Sequence, residues 1–219
     1  MKINKAENIA EETEGRARIL FGWQLKLVAG VAFIWSLFQL WYASPLPFIL
    51  GFGVFIDVPA RAIHLGFGLF LAFLLFPFYK KNRSKKINII NFLLSIVAVF
   101  VTFYLFYNYE ALVDRNGVLL KHPLSLFGNE FVFPTELIIG GVGMILLLEA
   151  TRRAIGTPLV IVASIFLIYS IFGQSMPEMI SHQGLSLKRL VGYHWFGGEA
   201  IFGIPISVSV SFVFLFVLF

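Results

Sequence analysis

Long, mainly apolar runs recur along this chain, and they decide the solvent in which it folds. A helix needs about 20 such residues to cross roughly 30 Å of hydrocarbon. Six segments approach that length: 23–42, 59–79, 87–107, 135–149, 158–172 and 200–219. The fourth is short and must draw on its flanks or thin the bilayer locally. Of the 219 residues, 58% are hydrophobic and only 13% charged, with 26 Phe alone. A soluble domain carries roughly a quarter of its residues charged. Lipid is therefore the expected solvent, and the expected fold class is all-α: a polytopic transmembrane helical bundle of about six spans.

Residues 1–17 are mixed polar and acidic and include Glu7, Glu11, Glu12 and Glu14. A secretory signal places a short apolar core directly after a basic start. Here the first apolar run opens only at Trp23 and is long enough to be retained as a span, with Lys26 snorkelling toward the headgroups. Trp23, Trp41, Tyr42, Tyr79, Tyr104, Tyr107 and Tyr109 sit at run ends, as interfacial aromatics do.

The net charge of +5 lies in short clusters between apolar runs, which points to membrane orientation and away from nucleic acid. Lys2, Lys5, Arg16, Arg18, the Lys80–Lys86 link and the Arg152–Arg153 pair fall on one side if six spans alternate. Arg61, Arg115, Lys121, Lys188 and Arg189 fall on the other, eleven basic residues against five. The positive-inside bias predicts a cytoplasmic N-terminus. The chain has no cysteine, which excludes disulfides, thiolate metal sites and thiol nucleophiles.

Three connecting stretches lie on the less basic side. Residues 43–58, broken by Pro45, Pro47, Gly51 and Gly53, read as an interfacial or re-entrant segment. Residues 108–134 hold turn material around Asp114-Arg115-Asn116-Gly117. Residues 173–199 include an amphipathic stretch, 185–195, expected to lie along the membrane surface. At the junction of spans four and five, Arg152 and Arg153 complement a helix C-terminus. Gly156 suits a left-handed cap, Thr157 an N-cap and Pro158 a first helical position, together predicting a tight helical hairpin. The chain closes at Phe219 inside an apolar run without a polar flank, so we expect the N-terminal portion of a longer protein.

Few polar residues fall within the runs, and charge in hydrocarbon is costly unless paired or wetted. Asp57, Arg61 and His64 share one face at the start of span two, fitting either an interfacial ion pair or contact with a partner or polar cavity. Glu149 and Arg153 are four apart and suit an ion pair. Glu199 precedes span six as a helix-start carboxylate. His122, His182 and His194 lack metal-ligand spacing, so no metal site is expected. Gly66, Gly68, Gly140, Gly141 and Gly143 suit close helix approach or are ordinary membrane-helix glycines. Pro205 can break or kink span six beside Ser207, Ser209 and Ser211. Without a phosphate loop, triad or carboxylate pair, no catalytic residue is assigned and no enzyme activity is expected.

Several phrases together resemble a known family. They are Arg61-Ala-Ile-His64-Leu-Gly-Phe with Leu71-Ala-Phe-Leu-Leu-Phe-Pro77, and Leu147-Leu-Glu149-Ala-Thr-Arg152-Arg153-Ala-Ile-Gly156 with Ile165-Phe-Leu-Ile-Tyr169-Ser-Ile-Phe-Gly173. The others are His182-Gln-Gly184-Leu-Ser186-Leu-Lys-Arg189-Leu and Glu199-Ala-Ile-Phe-Gly203-Ile-Pro205 with Phe212-Val-Phe-Leu-Phe-Val-Leu-Phe219. In combination, from residue 59 onward, they resemble the fused permeases of tripartite ATP-independent periplasmic (TRAP) transporters. The chain departs from the family pattern at Thr157, where Trp is expected, which bears on interface packing.

The resemblance implies a small four-helix membrane subunit fused to a large one of about twelve helices, in a bacterial or archaeal cytoplasmic (inner) membrane. Residues 1–22 would be a cytoplasmic polar N-terminus, 23–153 the small-subunit-like region, and 154–219 the start of the large-subunit-like region. It further implies sodium-coupled uptake of an organic anion delivered by a periplasmic solute-binding protein of the TAXI type. The partners would be that protein, membrane lipids and the remainder of the permease. Substrate and Na+ sites would lie mostly downstream of Phe219, so no binding residue is assigned within this chain and no other cofactor is expected. The contrasting expectation is a non-transporting membrane scaffold or assembly subunit.

Overall fold

The structure, a computed structural model, describes residues 17–78, 87–115, 118–119, 121–126 and 129–218. It is helical, with one two-stranded hairpin. Helix α1 spans Trp23–Ala43, α2 Leu46–Leu50, α3 Asp57–Leu75 and α4 Ile89–Asp114. The hairpin of β1 (His122–Leu126) and β2 (Asn129–Phe133) follows, then α5 (Thr135–Ala154) and α6 (Thr157–Ile171). After two single 3-10 turns comes α7 (Leu187–Val191), which runs on as a π turn over Gly192–Phe196. The last segment is α8 (Ile204–Val208), a π turn at Ser209–Val213, and α9 (Phe214–Leu218).

Among the described residues three helices, α1, α3 and α4, are long and apolar enough to cross a membrane. Helix α5 has the length, at 20 residues, but carries Glu136, Glu149, Arg152 and Arg153. The other two predicted spans are shorter apolar helices, α6 and Ile204–Val213. At 15 residues α6 is only about 22 Å long, well short of the hydrocarbon thickness. Exposed Phe33, Ile34, Phe100, Phe103, Ile145, Ile165, Phe166 and Phe216 cover the outside of the bundle. Apolar exposure of this extent suits a lipid-facing surface.

Helix α3 is the centre. Ten of its 19 residues are buried, from Val58 to Leu74, whereas α1 buries only Gln24, Val28 and Gln39. It ends because Pro77 disfavours helix in the residue before it, and Phe76 is extended at φ −101° and ψ 116°. Its closest neighbour is α4, which it approaches through Gly66: a Cβ there would stand 2.6 Å from Thr102 Oγ1. Ser95, Ala98 and Thr102 give α4 a matching face of small side chains, all buried. Gly68 makes no such approach, since a Cβ there would meet only Trp35 at 3.9 Å. Helix α4 is capped by the Asn88 side chain, which accepts from Ile90 N–H, and it runs seven residues past the expected end at 107. The tyrosines mark a membrane level there, but Glu110-Ala-Leu112 continues as good helix sequence until Asp114.

The α5–α6 hairpin forms as expected, turned by Gly156 at φ 130° and ψ 174°, a conformation open to glycine. Gly156 itself is the N-cap of α6; Thr157 is already helical and supplies no capping bond. Pro205 does not kink the last segment. It lies in the first turn of α8, where its missing N–H is not needed, and the irregularity falls later, at the π turn. The 43–58 link contains the five-residue α2, which exposes Phe48 and Ile49 and stops at Gly51 in the left-handed region. The β1–β2 hairpin, paired antiparallel from His122↔Phe133 to Leu126↔Asn129, occupies a stretch expected to be turns. Pro123 and Gly128 hid the strand pattern around them.

The amphipathic 185–195 stretch docks one face on the bundle while residues 186–189 stay exposed. Leu190, Val191, Trp195 and Phe196 are buried against α5, in a core shared with Val101, Leu105 and Met144. The docking face on α5 is Gly140 and Gly143. A Cβ on Gly140 would meet Val191 and Phe196, and one on Gly143 would collide with the Trp195 ring at three atoms. Gly141, between them, has nothing within 4 Å. Gly143→Ala is therefore expected to destabilise the protein by about 1–3 kcal/mol through overpacking. Gly141→Ala should be neutral or stabilising by up to about 1 kcal/mol. Thermal unfolding in detergent, followed by tryptophan fluorescence, separates the two.

Candidate functional site

The candidate site is a polar seam inside the apolar bundle, between α1, α3 and the α8–α9 segment. On α1, Trp35 and Gln39 are four residues apart and face the same way. On α3, Asp57, Arg61 and His64 share the face expected of them. Trp35 Nε1 donates to His64 Nδ1 at 3.2 Å, and His64 Nε2 lies 3.1 Å from Ser209 Oγ. Gln39 Nε2 donates to the Val210 carbonyl at 2.8 Å. Arg61 Nη1 donates to the Phe202 carbonyl at 2.8 Å, while its Nη2 pairs with Asp57 at 2.8 Å. Tyr42 Oη reaches Asp57 at 3.4 Å, tying the end of α1 to the start of α3.

The π turn at Ser209–Val213 contributes to this geometry. A π turn interrupts the regular helical hydrogen-bond ladder, and such turns often mark functional positions. Here the turn presents the Val210 carbonyl to Gln39 and Ser209 to His64. Gln39 is fully buried and its Oε1 has no partner among the described residues. The seam thus holds one buried acceptor in hydrocarbon-like surroundings.

The chemistry of His64 follows from its neighbour. An indole N–H only donates, so Nδ1 must be the lone-pair nitrogen and the proton sits on Nε2, directed at Ser209. In that tautomer Nε2 cannot accept the Ser209 proton. A hydrolytic dyad needs the opposite arrangement, with Nδ1–H held by a carboxylate. The seam is built to join helices and to keep a neutral imidazole in place.

Glu136 was not singled out by its sequence context, because a carboxylate in a first helical turn ordinarily interacts with the helix dipole in water. It is instead completely buried. Arg115 clamps it through two bonds of 2.8 and 3.2 Å, and Tyr104 Oη donates at 3.1 Å. The only signals were Arg115 and Tyr104 in the preceding helix and turn. Glu149 accepts from Arg152 at 2.7 and 2.8 Å and from Arg153 at 2.7 Å, the latter being the expected pair. Arg153 also donates to Asn91 Oδ1 at 2.9 Å and lies over the Phe73 ring, fastening α5 to α4 and α3.

The remaining predicted positions take local roles. His182 Nε2 lies 3.1 Å from the Tyr169 carbonyl and its Nδ1 accepts from Gly184 N–H. His194 Nδ1 lies 2.9 Å from the Leu190 carbonyl. The His122 side chain falls outside the described residues. Among the described residues no three His, Asp or Glu gather as a metal-ion cluster. Glu199 is exposed in a turn, and helix begins only at Ile204, so the carboxylate stands clear of the helix start.

These features define a helical protein with three helices of membrane-crossing length and a buried polar seam. No family model, curated protein or solved structure matches the chain. Two outcomes are expected for the ion pairs and the seam. Glu136→Ala should cost about 3–5 kcal/mol, as removal of one member of a buried pair does, measured by unfolding in mixed micelles. A double-mutant cycle of His64→Ala with Ser209→Ala should return a coupling of about 0.5–1.5 kcal/mol.

Proposed function

We propose that the chain is the N-terminal, scaffold-bearing portion of a TRAP fused permease. In this reading it serves sodium-coupled uptake of an organic anion delivered by a periplasmic solute-binding protein. The phrases quoted above motivate the family. The carrying observation is that Arg61 and His64, both within one of those phrases, hold the turn before α8 through Phe202 and the α8–α9 segment through Ser209. Phe202 belongs to another of the phrases, and Ser209 lies between its two halves. In a fused permease this would be the seam between the small-subunit-like region and the first helices of the large one. Six spans and a cytoplasmic N-terminus complete the proposal, with α5, α6 and the α8–α9 segment crossing by use of their flanks, tilt or local thinning.

A second reading is a non-transporting membrane scaffold. In its favour, Trp35, His64, Arg61 and Gln39 all spend hydrogen bonds on joining helices of this chain. The two readings differ in what the complete gene product does. Proteoliposomes holding it, supplied with its binding protein, should accumulate a bound organic anion only under an inward sodium gradient. Arg61→Ala should lower the initial rate at least about tenfold by loosening the seam. No accumulation under any gradient, with or without the binding protein, favours the scaffold. Reporter fusions within Lys80–Lys86 should report a cytoplasmic location; an external one overturns the topology.

A further inference from the structure

The end of the bundle opposite Arg61 carries a second polar constellation, which the seam does not involve. Arg152 and Arg153 share the single carboxylate of Glu149. Arg18 joins them at the C-terminal end of α3, where its backbone N–H donates to the Leu75 carbonyl at 2.8 Å. Two residues before Leu75 is Phe73, whose ring underlies Arg153; three residues after it is Phe78, whose ring underlies Arg152 at 4.5 Å. Burial, and then the charge of Arg153, pull the Arg18 guanidinium below its ordinary pKa. Arg152 and Arg153 thus share the Glu149 carboxylate, and the Arg18 guanidinium lies close enough to Arg153 to feel its charge.

Arg18 is the unusual member. It is only 8% exposed, yet its Nε and Nη1 donors have no partner among the described residues. Buried, unsatisfied donors on a charged group are expensive, and the position is retained economically only if something else accepts those bonds. The surroundings say what kind of acceptor. A planar fork beside further guanidinium groups matches the oxygens of a phosphate. The residues flanking Arg18, Ile19, Phe21 and Trp23, turn outward with 70%, 57% and 65% of their surface exposed. Phe78 is likewise half exposed. A free anion would gain nothing from that apolar rim, whereas an acyl chain would lie along it.

We propose that Arg18 binds the phosphate of an anionic lipid headgroup at this end of the bundle, beside the Arg152–Arg153 pair. The lipid's acyl chain then runs along Ile19 and Phe21. The chain carries five further basic residues directly after Phe78, in the sequence Lys80 to Lys86, so this end meets an anionic leaflet favourably. The site stands whether the protein transports or only scaffolds.

The test uses the full chain in detergent, titrated with phosphatidylglycerol, phosphatidylcholine or inorganic phosphate. Retained lipid is read by native mass spectrometry, and thermal stability in parallel. Phosphatidylglycerol should be retained and raise the melting temperature, and phosphatidylcholine should do neither. Arg18→Gln should weaken phosphatidylglycerol retention about tenfold or more, the worth of charged hydrogen bonds. Without lipid it should melt no lower than the parent protein, since the Arg18 side chain makes no hydrogen bond among the described residues. Arg18→Met provides a second variant with the same expectation. Lys26→Gln, an exposed cation near the same end, should leave retention unchanged. Equal retention by the Arg18 variants, equal loss in Lys26→Gln, or equal binding of phosphatidylcholine overturns the site. Competition by inorganic phosphate at the same concentration as the lipid overturns the lipid as its source.

Discussion

In hydrocarbon a polar side chain has no water to return to, so it must find its partner within the protein, and the long-range organisation of this molecule follows from that constraint. His64 can sit in α3 because Trp35 and Ser209 occupy both ring nitrogens. Gln39 can sit in α1 because the Val210 carbonyl takes its amide. Each of these bonds bridges separate segments, and together they hold the peripheral α1 and the terminal helices on α3. Apolar packing alone would leave their rotation undetermined, because lipid and leucine are nearly equivalent neighbours.

Close packing supplies the other half of the organisation. Helices α3 and α4 approach through Gly66 and Thr102, and the segment after α7 presses Trp195 into the hollow left by Gly143. Dispersion contacts of this kind are individually small but numerous, and they operate in lipid where the hydrophobic effect between helices does not. The charged groups lie at the two ends of this packed core. Glu136 with Arg115 and Tyr104 closes one end; Glu149 with Arg152 and Arg153 closes the other.

Much of the candidate site was legible residue by residue and not as a site. The Asp57–Arg61 and Glu149–Arg153 pairs follow from helical spacing of four, a local property. That Arg61 and His64 share a face is equally local. Their partners, Phe202 and Ser209, lie more than a hundred residues further along, and nothing local matched them to Arg61 and His64. Glu136 resembled an ordinary helix-start carboxylate until the fold buried it under Arg115. The glycines of α5 signalled close approach but not their occupant, since Trp195 sits in a stretch whose amphipathic pattern also suits a membrane surface.

The sequence by itself determined the apolar character of the long helices, the positions of the principal helices, the turn at Gly156 and the ion pairs within one helix. Each depends on the order of side chains over at most about 20 residues, which hydropathy and helical periodicity report directly. Tertiary structure alone decided which glycines receive a neighbour, which carboxylate is buried, and where the polar atoms of α1 and α3 find their acceptors. Those outcomes depend on how apolar helices rotate against one another, and in a lipid-like medium only shape and a few hydrogen bonds distinguish one rotation from the next.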